Sequence, residues 1–553
     1  MNSALDAAGV AIVQRRPAAV TPPDALRSLS SWVGWHAAAR PEAQAVAAVG
    51  STLSYRELAD RARILGAHLR ASGVRPGDRA LLAVPNSPAT VVAAVALDLI
   101  GATSVEVDRN WSPELLRTVV THSGARGLIA GRADERRWAA ALEGVDLDAV
   151  DLAGIWWVHP DATSRDGAAV RVGAELGHIG GDGTLLTASR PGIDVGHTER
   201  AADDVAVILY TSGSTGRPHG VIQTVRNIHA NTRSIAQYLG LSHADRALLV
   251  LPLHYCYGRS VLQTHLWAGG SVVLETRTAF PRVVMETIAA ERCTGFAGVP
   301  QSFEMIRRNV DLSTIDLSSL RYMTQAGGAM APDTTSWVRR SIHPAELYVM
   351  YGQTEATARL AYLPPSQGEA KAGSIGIPIP GVELRVVDPA GRELPVGVVG
   401  ELVARGENVT PGYLDDPEAN AVILRDGWLW TGDLALRDAD GYLFLQGRAK
   451  DILKIGGRRV SPVEIEHVIA QHPAVLEAAV RGRPDPMKGE VPVAMVVLRP
   501  DARLESPELR RFCLERLAAY LVPVEFHQVA RLPRNAAGKL LRAELTIPTM
   551  QAS

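Results

Sequence analysis

The sequence predicts an α/β protein with a large N-terminal domain of layered α/β subdomains, including a β-rich subdomain, and a small α+β C-terminal domain. Three observations predict this class. The chain has 553 residues, several times the usual size of one domain. Short apolar runs alternate with helix-length segments over its first part, which is typical of strands and helices around a largely parallel sheet. After about residue 380 the runs are separated by Gly, Pro and Asp, which favours a smaller β-rich unit.

The N-terminal part begins with an Ala/Pro-rich leader at residues 1–25, and the first helix is expected near Ser28. A strand at Arg79–Val84 leads to Asn86-Ser87-Pro88, which supplies a helix cap and a first-turn proline for a helix over Val91–Ile100. Further strands of this part are predicted at Val205–Tyr210, Ala247–Leu251, Ser271–Leu274 and Glu346–Met350.

The rest of the chain divides at a domain boundary predicted near Lys450. This places the N-terminal domain at 26–449, its β-rich subdomain at about 380–446 and the C-terminal domain at 450–553. Ser506-Pro507-Glu508 is expected to cap and open a helix. The strands predicted here are Val382–Val387, Gly400–Ala404, Tyr442–Leu445, Val475–Val480 and Val491–Leu498.

Composition excludes several classes of function. A net charge of −2 with dispersed basic residues gives no field to gather nucleic acid. The most apolar window, Val91–Ile100, contains Asp98 and falls short of the roughly 20 residues that a membrane span needs. No export signal is recognisable, so a cytoplasmic location is expected. The three cysteines are too widely spaced for a zinc site or a disulfide framework, and we expect buried free thiols.

Lysine is rare, because only five of the 57 basic residues are lysine. Such a skew is typical of GC-rich bacterial coding. Each lysine that remains is therefore a candidate for a specific role.

The first segment with recognisable chemistry directly follows a predicted strand. Its sequence is Thr211-Ser212-Gly213-Ser214-Thr215-Gly216-Arg217-Pro218-His219-Gly220. Glycines and small hydroxyl residues leave backbone N–H groups free to surround a polyanion, which is what a triphosphate requires. No Gly-Lys-Ser/Thr ends the run, so it is not a Walker loop.

This run resembles the T-S-G-S-T-G-x-P-K-G signature of the adenylate-forming superfamily, which includes acyl-CoA synthetases, firefly-type luciferases and peptide-synthetase adenylation domains. Five more segments resemble motifs of that superfamily in the same order. They are Tyr351-Gly352-Gln353-Thr354-Glu355, Gly400-Glu401-Leu402 through Gly412-Tyr413, Trp430-Thr431-Gly432-Asp433, Gly447-Arg448-Ala449-Lys450-Asp451 and Pro533 through Gly538-Lys539.

The resemblance implies an acid–CoA ligase that binds ATP or AMP, Mg²⁺ and coenzyme A. Glu355, with Thr211, is implied as a metal ligand, and a carboxylate oxygen suits Mg²⁺. Asp433 is suited to accept hydrogen bonds from the ribose hydroxyls. The nucleotide site also includes Thr211, Ser212, Gly213, Ser214, Thr215, Gly216, Tyr351, Gly352, Gln353, Thr354 and Arg448.

The C-terminal motifs imply the two halves of the reaction. Lys539 is implied as the adenylation lysine, a compact charge between the acid and the α-phosphate. The hinge residue Lys450 lets the domain rotate between the half-reactions. Lys454 is a candidate for the adenylation face. The CoA contacts are Gly456, Gly457 and Arg459, of which the glycines give room for a thiol-bearing arm.

The same resemblance places the acid against His254, Tyr255 and the segment Gln325-Ala326-Gly327-Gly328. Tyr255 stands where amino-acid-activating relatives carry an aspartate for the α-ammonium. We therefore expect an acid without an α-amino group.

Two positions depart from the motifs of the superfamily. His219 stands where the superfamily carries a lysine, and an imidazole is mostly uncharged at neutral pH. The chain is therefore either a complete ligase or one biased to the thioester step, using a preformed acyl adenylate. Val349 replaces an asparagine that contacts adenine in amino-acid-activating relatives. The motifs are also compatible with a ligase that loads an acyl carrier protein, a luciferase-like oxidation, and a nucleotide-binding protein without turnover.

Overall fold

A computed structural model of the chain describes residues 21–146, 152–158, 175–179, 196–212, 218–448, 451, 453–455, 458–534 and 540–545. The chain divides into two compact units. Residues 1–297 with 312–322 form the first unit, and residues 298–311 with 323–553 form the second. Both contain helices and strands, so the predicted α/β class is confirmed.

In the part of the chain that the structure describes, the first unit contains both helices and strands. Its helices are α1 (Leu29–Ala39), α2 (Tyr55–Ala71), α3 (Pro88–Leu99), α4 (Pro113–Ser123), α5 (Glu135–Leu142), α6 (Val225–Leu239), α7 (Cys256–Ala268) and α8 (Pro281–Ala290). Its strands are β1 (Gln44–Ala48), β2 (Ser51–Ser54), β3 (Arg79–Ala83), β4 (Thr103–Glu106), β5 (Gly127–Gly131), β6 (Gly154–Val158), β7 (Glu175–Ile179), β8 (Val205–Ser212), β9 (Pro218–Thr224), β10 (Arg246–Leu249), β11 (Ser271–Leu274) and β12 (Gly295–Gly298).

The strands of this unit belong to two β-sheets. In the first sheet the strands are ordered β7-β6-β5-β3-β4-β8-β9, and neighbouring strands are parallel except for the antiparallel pair β8 and β9. In the second sheet these strands are ordered β12-β10-β11-β1-β2, and neighbouring strands are parallel except for the antiparallel pair β1 and β2. The largely parallel arrangement that the sequence predicted is therefore present, and it brings the carboxyl ends of β3, β4 and β8 to one edge.

Helix α3 shows how the local sequence specifies an element. Ser87 is its N-cap and accepts a hydrogen bond from the backbone N–H of Thr90, and Pro88 begins the helix. All twelve residues of α3 are buried, including Asp98. Asp98 is paired with Arg200 at 3.0 Å and accepts hydrogen bonds from Ser30. The apolar window is therefore a core helix.

The second unit contains shorter helices and more antiparallel strands. Its helices are α9 (Pro300–Asn309), α10 (Pro332–Ile342), α11 (Pro417–Ile423), α12 (Pro462–Ala470) and α13 (Ser506–Leu514). Its strands are β13 (Tyr322–Gln325), β14 (Glu346–Tyr351), β15 (Ala361–Leu363), β16 (Ile377–Pro378), β17 (Val382–Val387), β18 (Gly400–Gly406), β19 (Leu424–Arg425), β20 (Trp428–Arg437), β21 (Leu443–Arg448), β22 (Leu453–Ile455), β23 (Arg458–Val460), β24 (Val475–Asp485), β25 (Gly489–Leu498) and β26 (Glu525–Gln528).

Two sheets of this unit have separate cores. The sheet β17-β18-β20-β19, with β21 paired to β20, is antiparallel and lies in the stretch predicted to be β-rich. Its core includes Leu384, Leu402 and Leu443. The sheet β23-β22-β25-β24, with β26 beside β25, packs on α12 and α13. The buried core between them includes Leu453, Ile465 and Val496.

One predicted helix cap is wrong. Ser506 was expected to cap α13, but it is the first helical residue, and Glu505 occupies the N-cap position without a side-chain cap bond. The Ser506 hydroxyl donates instead to the carbonyl of Phe526 at 3.2 Å. Tertiary contact therefore overrides the local capping signal.

The structure also bears on the cysteines and on membrane spans. Cys256, Cys293 and Cys513 are buried and free, as predicted. Burial raises the pKa of Cys293 to about 12 and that of Cys513 to about 11, so both thiols stay protonated at neutral pH.

Among the helices described, none combines the length and apolar character needed to cross a membrane.

Candidate active site

The predicted phosphate loop joins two antiparallel strands of the first unit. Thr211 lies opposite His219 in the register of β8 and β9, and Tyr210 lies opposite Gly220. Gly213, Ser214, Thr215, Gly216 and the side chain of Ser212 lie outside the described residues. His219 therefore stands on the strand that leaves the loop, across from the hydroxyl residue that enters it.

The base of this loop is fixed from α4. The hydroxyl of Tyr210 and Nδ1 of His122 lie 2.7 Å apart, and the two rings are edge-to-face. Tyr210 is buried. No sequence pattern singled out His122, because it is 88 residues away from its partner.

In the second unit, the structure brings together Tyr351, Asp433 and Arg448. Asp433 and Arg448 face each other across β20 and β21. Tyr351, at the end of β14, donates its hydroxyl to Asp433 Oδ2 at 2.6 Å, and Arg448 Nε lies 3.2 Å from Oδ1. Burial, followed by the Asp433 carboxylate, raises the pKa of Tyr351 well above its usual range, so this hydroxyl remains a donor.

The backbone around Asp433 is held by two residues that the sequence reasoning did not select. The Thr431 hydroxyl donates to the Leu402 carbonyl at 2.7 Å and accepts the N–H of Asp433 at 3.1 Å. Glu401 accepts the N–H of Gly432 at 3.2 Å. Burial raises the pKa of Glu401, and the nearby Asp433 charge adds to this effect. Thr431 and Glu401 both lie in segments that resemble superfamily motifs. Membership of those motifs was the sequence signal that could have found them.

Glu355 lies on a tight turn after β14. Gly352 is required there, because a Cβ at this position would stand 2.1 Å from the carbonyl oxygen of Ala358. Gln353 precedes the short 3₁₀ turn Thr354–Ala356, and Thr357 then has φ of +64°. The carboxylate of Glu355 accepts the Tyr413 hydroxyl at 2.8 Å through Oε1. The predicted metal ligand is therefore held at a defined place.

Magnesium was implied by the resemblance, and the donor set of this structure fits it. Within the described residues, no group of three or more His, Cys, Asp and Glu side chains is arranged to hold a metal ion. Glu355 offers one hard carboxylate oxygen, Oε2, beside the oxygen that Tyr413 occupies. Mg²⁺ in nucleotide enzymes is commonly held by one or two carboxylates together with substrate phosphates. A single carboxylate is therefore enough for a metal that arrives with a nucleotide.

The first part of the predicted acyl pocket, His254 and Tyr255, lies between β10 and α7 in the first unit. His254 Nε2 is 3.9 Å from Asp108 Oδ2. Burial lowers the pKa of His254, although Asp108 and Glu106 act in the opposite direction, so the imidazole is uncharged at neutral pH. Asn86 fixes the same loop by donating to the Leu251 carbonyl at 2.8 Å and accepting the N–H of Leu253 at 3.0 Å.

The second part of the predicted pocket lies in the second unit, at the end of β13. Gln325 is 1% exposed, and its amide donates to the carbonyl of Gly328 at 2.7 Å. Ala326 is buried, and Gly327 adopts φ of +88°. This bond closes a compact turn over Gln325-Ala326-Gly327-Gly328.

The predicted CoA segment forms the hairpin β22–β23. Lys454 lies opposite Arg459, and Ile455 lies opposite Arg458. Lys454 is exposed, and its backbone N–H donates to Glu490 Oε2 at 2.6 Å. Gly456 and Gly457, which connect the two strands, lie outside the described residues, as do Lys450 and the side chain of Arg459.

Lys539 also lies outside the described residues, but its flanks are anchored. Arg534 and Leu540 form an antiparallel bridge, and the N–H of Leu541 donates to the Pro533 carbonyl at 2.9 Å. Arg542 forms two hydrogen bonds with Glu466 on α12, one of them 2.7 Å long, and its Nε lies 3.4 Å from Asp451 Oδ2. Sequence reasoning missed Arg542, since its partners are remote in the chain.

Comparisons with known proteins cover nearly the whole chain. The model of the AMP-binding enzyme family matches residues 33–414, and that of the AMP-binding enzyme C-terminal domain matches residues 464–539. A feruloyl-CoA synthase from an Amycolatopsis species is 34% identical over 523 residues, covering 94% of this chain and 98% of the relative. A 2-succinylbenzoate–CoA ligase from Bacillus licheniformis is 32% identical over 517 residues, covering 93% and 99%.

A solved structure shows the same similarity at the level of the fold. O-succinylbenzoate coenzyme A synthetase from Bacillus subtilis, in complex with ATP and magnesium ion, aligns with a TM-score of 0.79 at 28% identity. The alignment covers 93% of this chain and 98% of that one. The likeness therefore extends over nearly the full length of both chains.

Proposed function

The chain belongs to the AMP-binding enzyme family of adenylate-forming enzymes, and we propose that it joins a carboxylic acid without an α-amino group to coenzyme A through an acyl adenylate. In the first half-reaction, an oxygen of the acid attacks the α-phosphorus of ATP, and pyrophosphate leaves. In the second, the CoA thiolate attacks the acyl carbon, and AMP leaves. The thiol proton passes to solvent.

The observation that carries this proposal is the arrangement around Asp433. A carboxylate has about four lone-pair sites. Tyr351 and Arg448 each approach one of its oxygens. The remaining sites suit the two hydroxyls of a ribose, because neighbouring hydroxyls donate well to one fixed carboxylate. We assign this place to the ribose of ATP and AMP, with Arg448 as a further donor.

In the adenylation half-reaction, we assign the triphosphate to Thr211 and the glycine-rich loop, and the α-phosphate to Thr354. Glu355 would hold Mg²⁺, which when bound supplies positive charge to the phosphate oxygens. Lys539 would place its ammonium between the acid and the α-phosphate and stabilise the charge that develops there. The mobile C-terminal domain brings this lysine to the nucleotide.

In the thioester half-reaction, we propose that residues 450–553 rotate about Lys450 and replace Lys539 with the β22–β23 hairpin. The separate cores of the two sheets on either side of residue 450 support this division. Gly456 and Gly457 leave space for the thiol-bearing arm of CoA, and Arg459 pairs with one of its phosphates. Lys454 belongs to the adenylation face.

We propose CoA rather than a carrier protein as the acceptor, because the relatives above are named for CoA products. Ferulate and 2-succinylbenzoate lack an α-amino group, which supports the same restriction on the acid here. At the proposed acyl site, neither the His254 imidazole, whose pKa burial lowers, nor the Tyr255 side chain is the carboxylate that would pair with an α-ammonium. A cytoplasmic location, where ATP and CoA are available, completes the proposal.

A thioester screen tests this function. Ferulate, 2-succinylbenzoate, a range of aliphatic acids and the amino acids are each supplied with ATP, Mg²⁺ and either CoA or a phosphopantetheinyl carrier protein, and in parallel as the synthetic acyl adenylate with CoA alone. We expect CoA thioesters from at least one acid under both conditions, and none from amino acids. Thioester from the adenylate alone would favour a thioester-biased ligase, and thioester on a phosphopantetheinyl carrier alone would favour a carrier-loading ligase. Absence of every thioester would contradict the proposal.

A further inference from the structure

Tyr413 lies outside the nucleotide contacts assigned above but touches one of them, Glu355, directly. Its hydroxyl donates to Oε1 of Glu355 at 2.8 Å across 58 residues of sequence. Among the described residues, no donor reaches the other oxygen, Oε2.

The backbone on both sides of Glu355 is held by the same segment, residues 408–413, which we call the brace. The N–H of Thr410 donates to the Glu355 carbonyl at 2.8 Å. The Thr357 hydroxyl donates to the Asn408 carbonyl at 2.7 Å. Thr357 is β-branched with φ of +64°, a strained conformation that persists only where neighbours enforce it. The brace therefore fixes the turn as well as the carboxylate.

Tyr413 is itself anchored at its backbone. Its N–H donates to Asn420 Oδ1 at 2.6 Å, and the Asn420 amide donates back to the Tyr413 carbonyl at 3.0 Å. Gly412 makes this close approach possible, because a Cβ at that position would stand 2.6 Å from Asn420 Oδ1. A side chain anchored in this way holds its hydroxyl at one place, as a positioning group must.

We infer that Tyr413 is a positioning residue for the nucleotide-bound metal: it occupies Glu355 Oε1 and so presents Oε2 toward Mg²⁺·ATP. The inference rests on the proposed function. Partners that orient a metal-ligating carboxylate influence metal affinity without contacting the metal. Because the metal travels with ATP, Tyr413 affects adenylation and leaves the thioester half-reaction unchanged.

The test is Tyr413→Phe, which removes the hydroxyl and keeps the ring. Acid-dependent ATP–pyrophosphate exchange is measured over a range of Mg²⁺, and binding of Mn²⁺·ATP is measured separately by paramagnetic relaxation. We expect a rise of about 10- to 100-fold in the Mg²⁺ needed for half-maximal exchange, with a parallel loss of Mn²⁺·ATP affinity. Thioester formation from a synthetic acyl adenylate should stay within twofold of wild type, which also shows that the variant is folded.

Tyr348→Phe is the matched control. Tyr348 donates to Glu346 at 2.9 Å, a bond of the same type on the strand that leads to Tyr351 but away from Glu355. It should alter neither metal measurement. An unchanged Mg²⁺ requirement in Tyr413→Phe would overturn the inference, and so would equal loss of both half-reactions. Absence of exchange and of thioester in the wild type would instead contradict the proposed function.

Discussion

The cluster that we propose to bind the nucleotide (Tyr351, Glu355, Asp433 and Arg448) and the hairpin β22–β23 are built in opposite ways. In the cluster, each carboxylate is fixed by side chains from distant strands or turns. In the hairpin, Lys454 is held through its backbone N–H, while its side chain is exposed. Preorganised groups suit a ligand that stays bound throughout, and exposed groups suit contacts made in one half-reaction only.

This contrast predicts that variants in the two regions separate the two half-reactions. Lys539→Ala should give the largest effect. The variant lacks the ammonium that we expect to stabilise the charge developing in the transition state. The rate of adenylation should therefore fall by about 10²- to 10³-fold, the effect of removing one hydrogen-bond donor from an oxyanion hole. Acid-dependent ATP–pyrophosphate exchange measures it.

Thioester formation from the synthetic adenylate is the internal control for Lys539→Ala, because the proposed mechanism does not use the lysine in that step. It should remain near the wild-type rate. If both steps fell together, Lys539 would have a structural role, and the proposed division of labour would fail.

Asp433→Asn should weaken nucleotide binding in both half-reactions, since we propose that the cluster holds the nucleotide in each. The amide presents a donor where the carboxylate accepts, and charged hydrogen bonds are worth about 1.5–3 kcal/mol, so ATP and AMP affinity should fall about 10- to 100-fold. Isothermal titration with each nucleotide measures it. Tyr351→Phe keeps the aromatic ring and leaves both oxygens of the Asp433 carboxylate in place, so this variant should lose less nucleotide affinity. Equal affinity of Asp433→Asn and wild type would remove Asp433 from the ribose site.

Gly457→Val should affect only the step that uses CoA, which we assign to the hairpin. A branched side chain in the proposed path of the CoA arm is expected to raise KM for CoA about 10-fold, the scale of moderate overpacking. Steady-state kinetics with varied CoA measures it, and pyrophosphate exchange should be unchanged. A rise in KM for ATP without one for CoA would place this glycine elsewhere in the mechanism.

His219→Lys should give the smallest effect. An ammonium beside the phosphates adds roughly 1 kcal/mol in a well-solvated site, so KM for ATP should fall a few-fold. Exchange kinetics of the variant and wild type measure it. A gain of a hundredfold or more would show that His219 severely limits adenylation and would favour a thioester-biased ligase.

Much of the fold was predictable because local pattern decides it. The bounds of β11 (Ser271–Leu274) and β17 (Val382–Val387) agree with the apolar runs in the sequence, and Ser87 caps α3 as its cap signal indicated. The Ser506 cap failed because the Phe526 carbonyl, twenty residues away, takes its hydroxyl. Local signals fail where a distant partner competes.

The candidate site shows the same limit. Motif order identified Glu355 and Asp433, but the contacts that position them join residues 58 and 82 positions apart. The role of Tyr413 follows from such a contact, although the residue itself stood in a recognised motif. The same holds for Arg542, which links the segment after Lys539 to Asp451 and Glu466.

The central claim is a two-step ligase that makes its own acyl adenylate, and exchange of labelled pyrophosphate into ATP by the unmodified chain, without CoA, tests it most directly. We predict exchange that requires both the acid and Mg²⁺ and is lost in Lys539→Ala. Exchange that is absent for an acid whose thioester nevertheless forms from ATP and CoA would contradict the account.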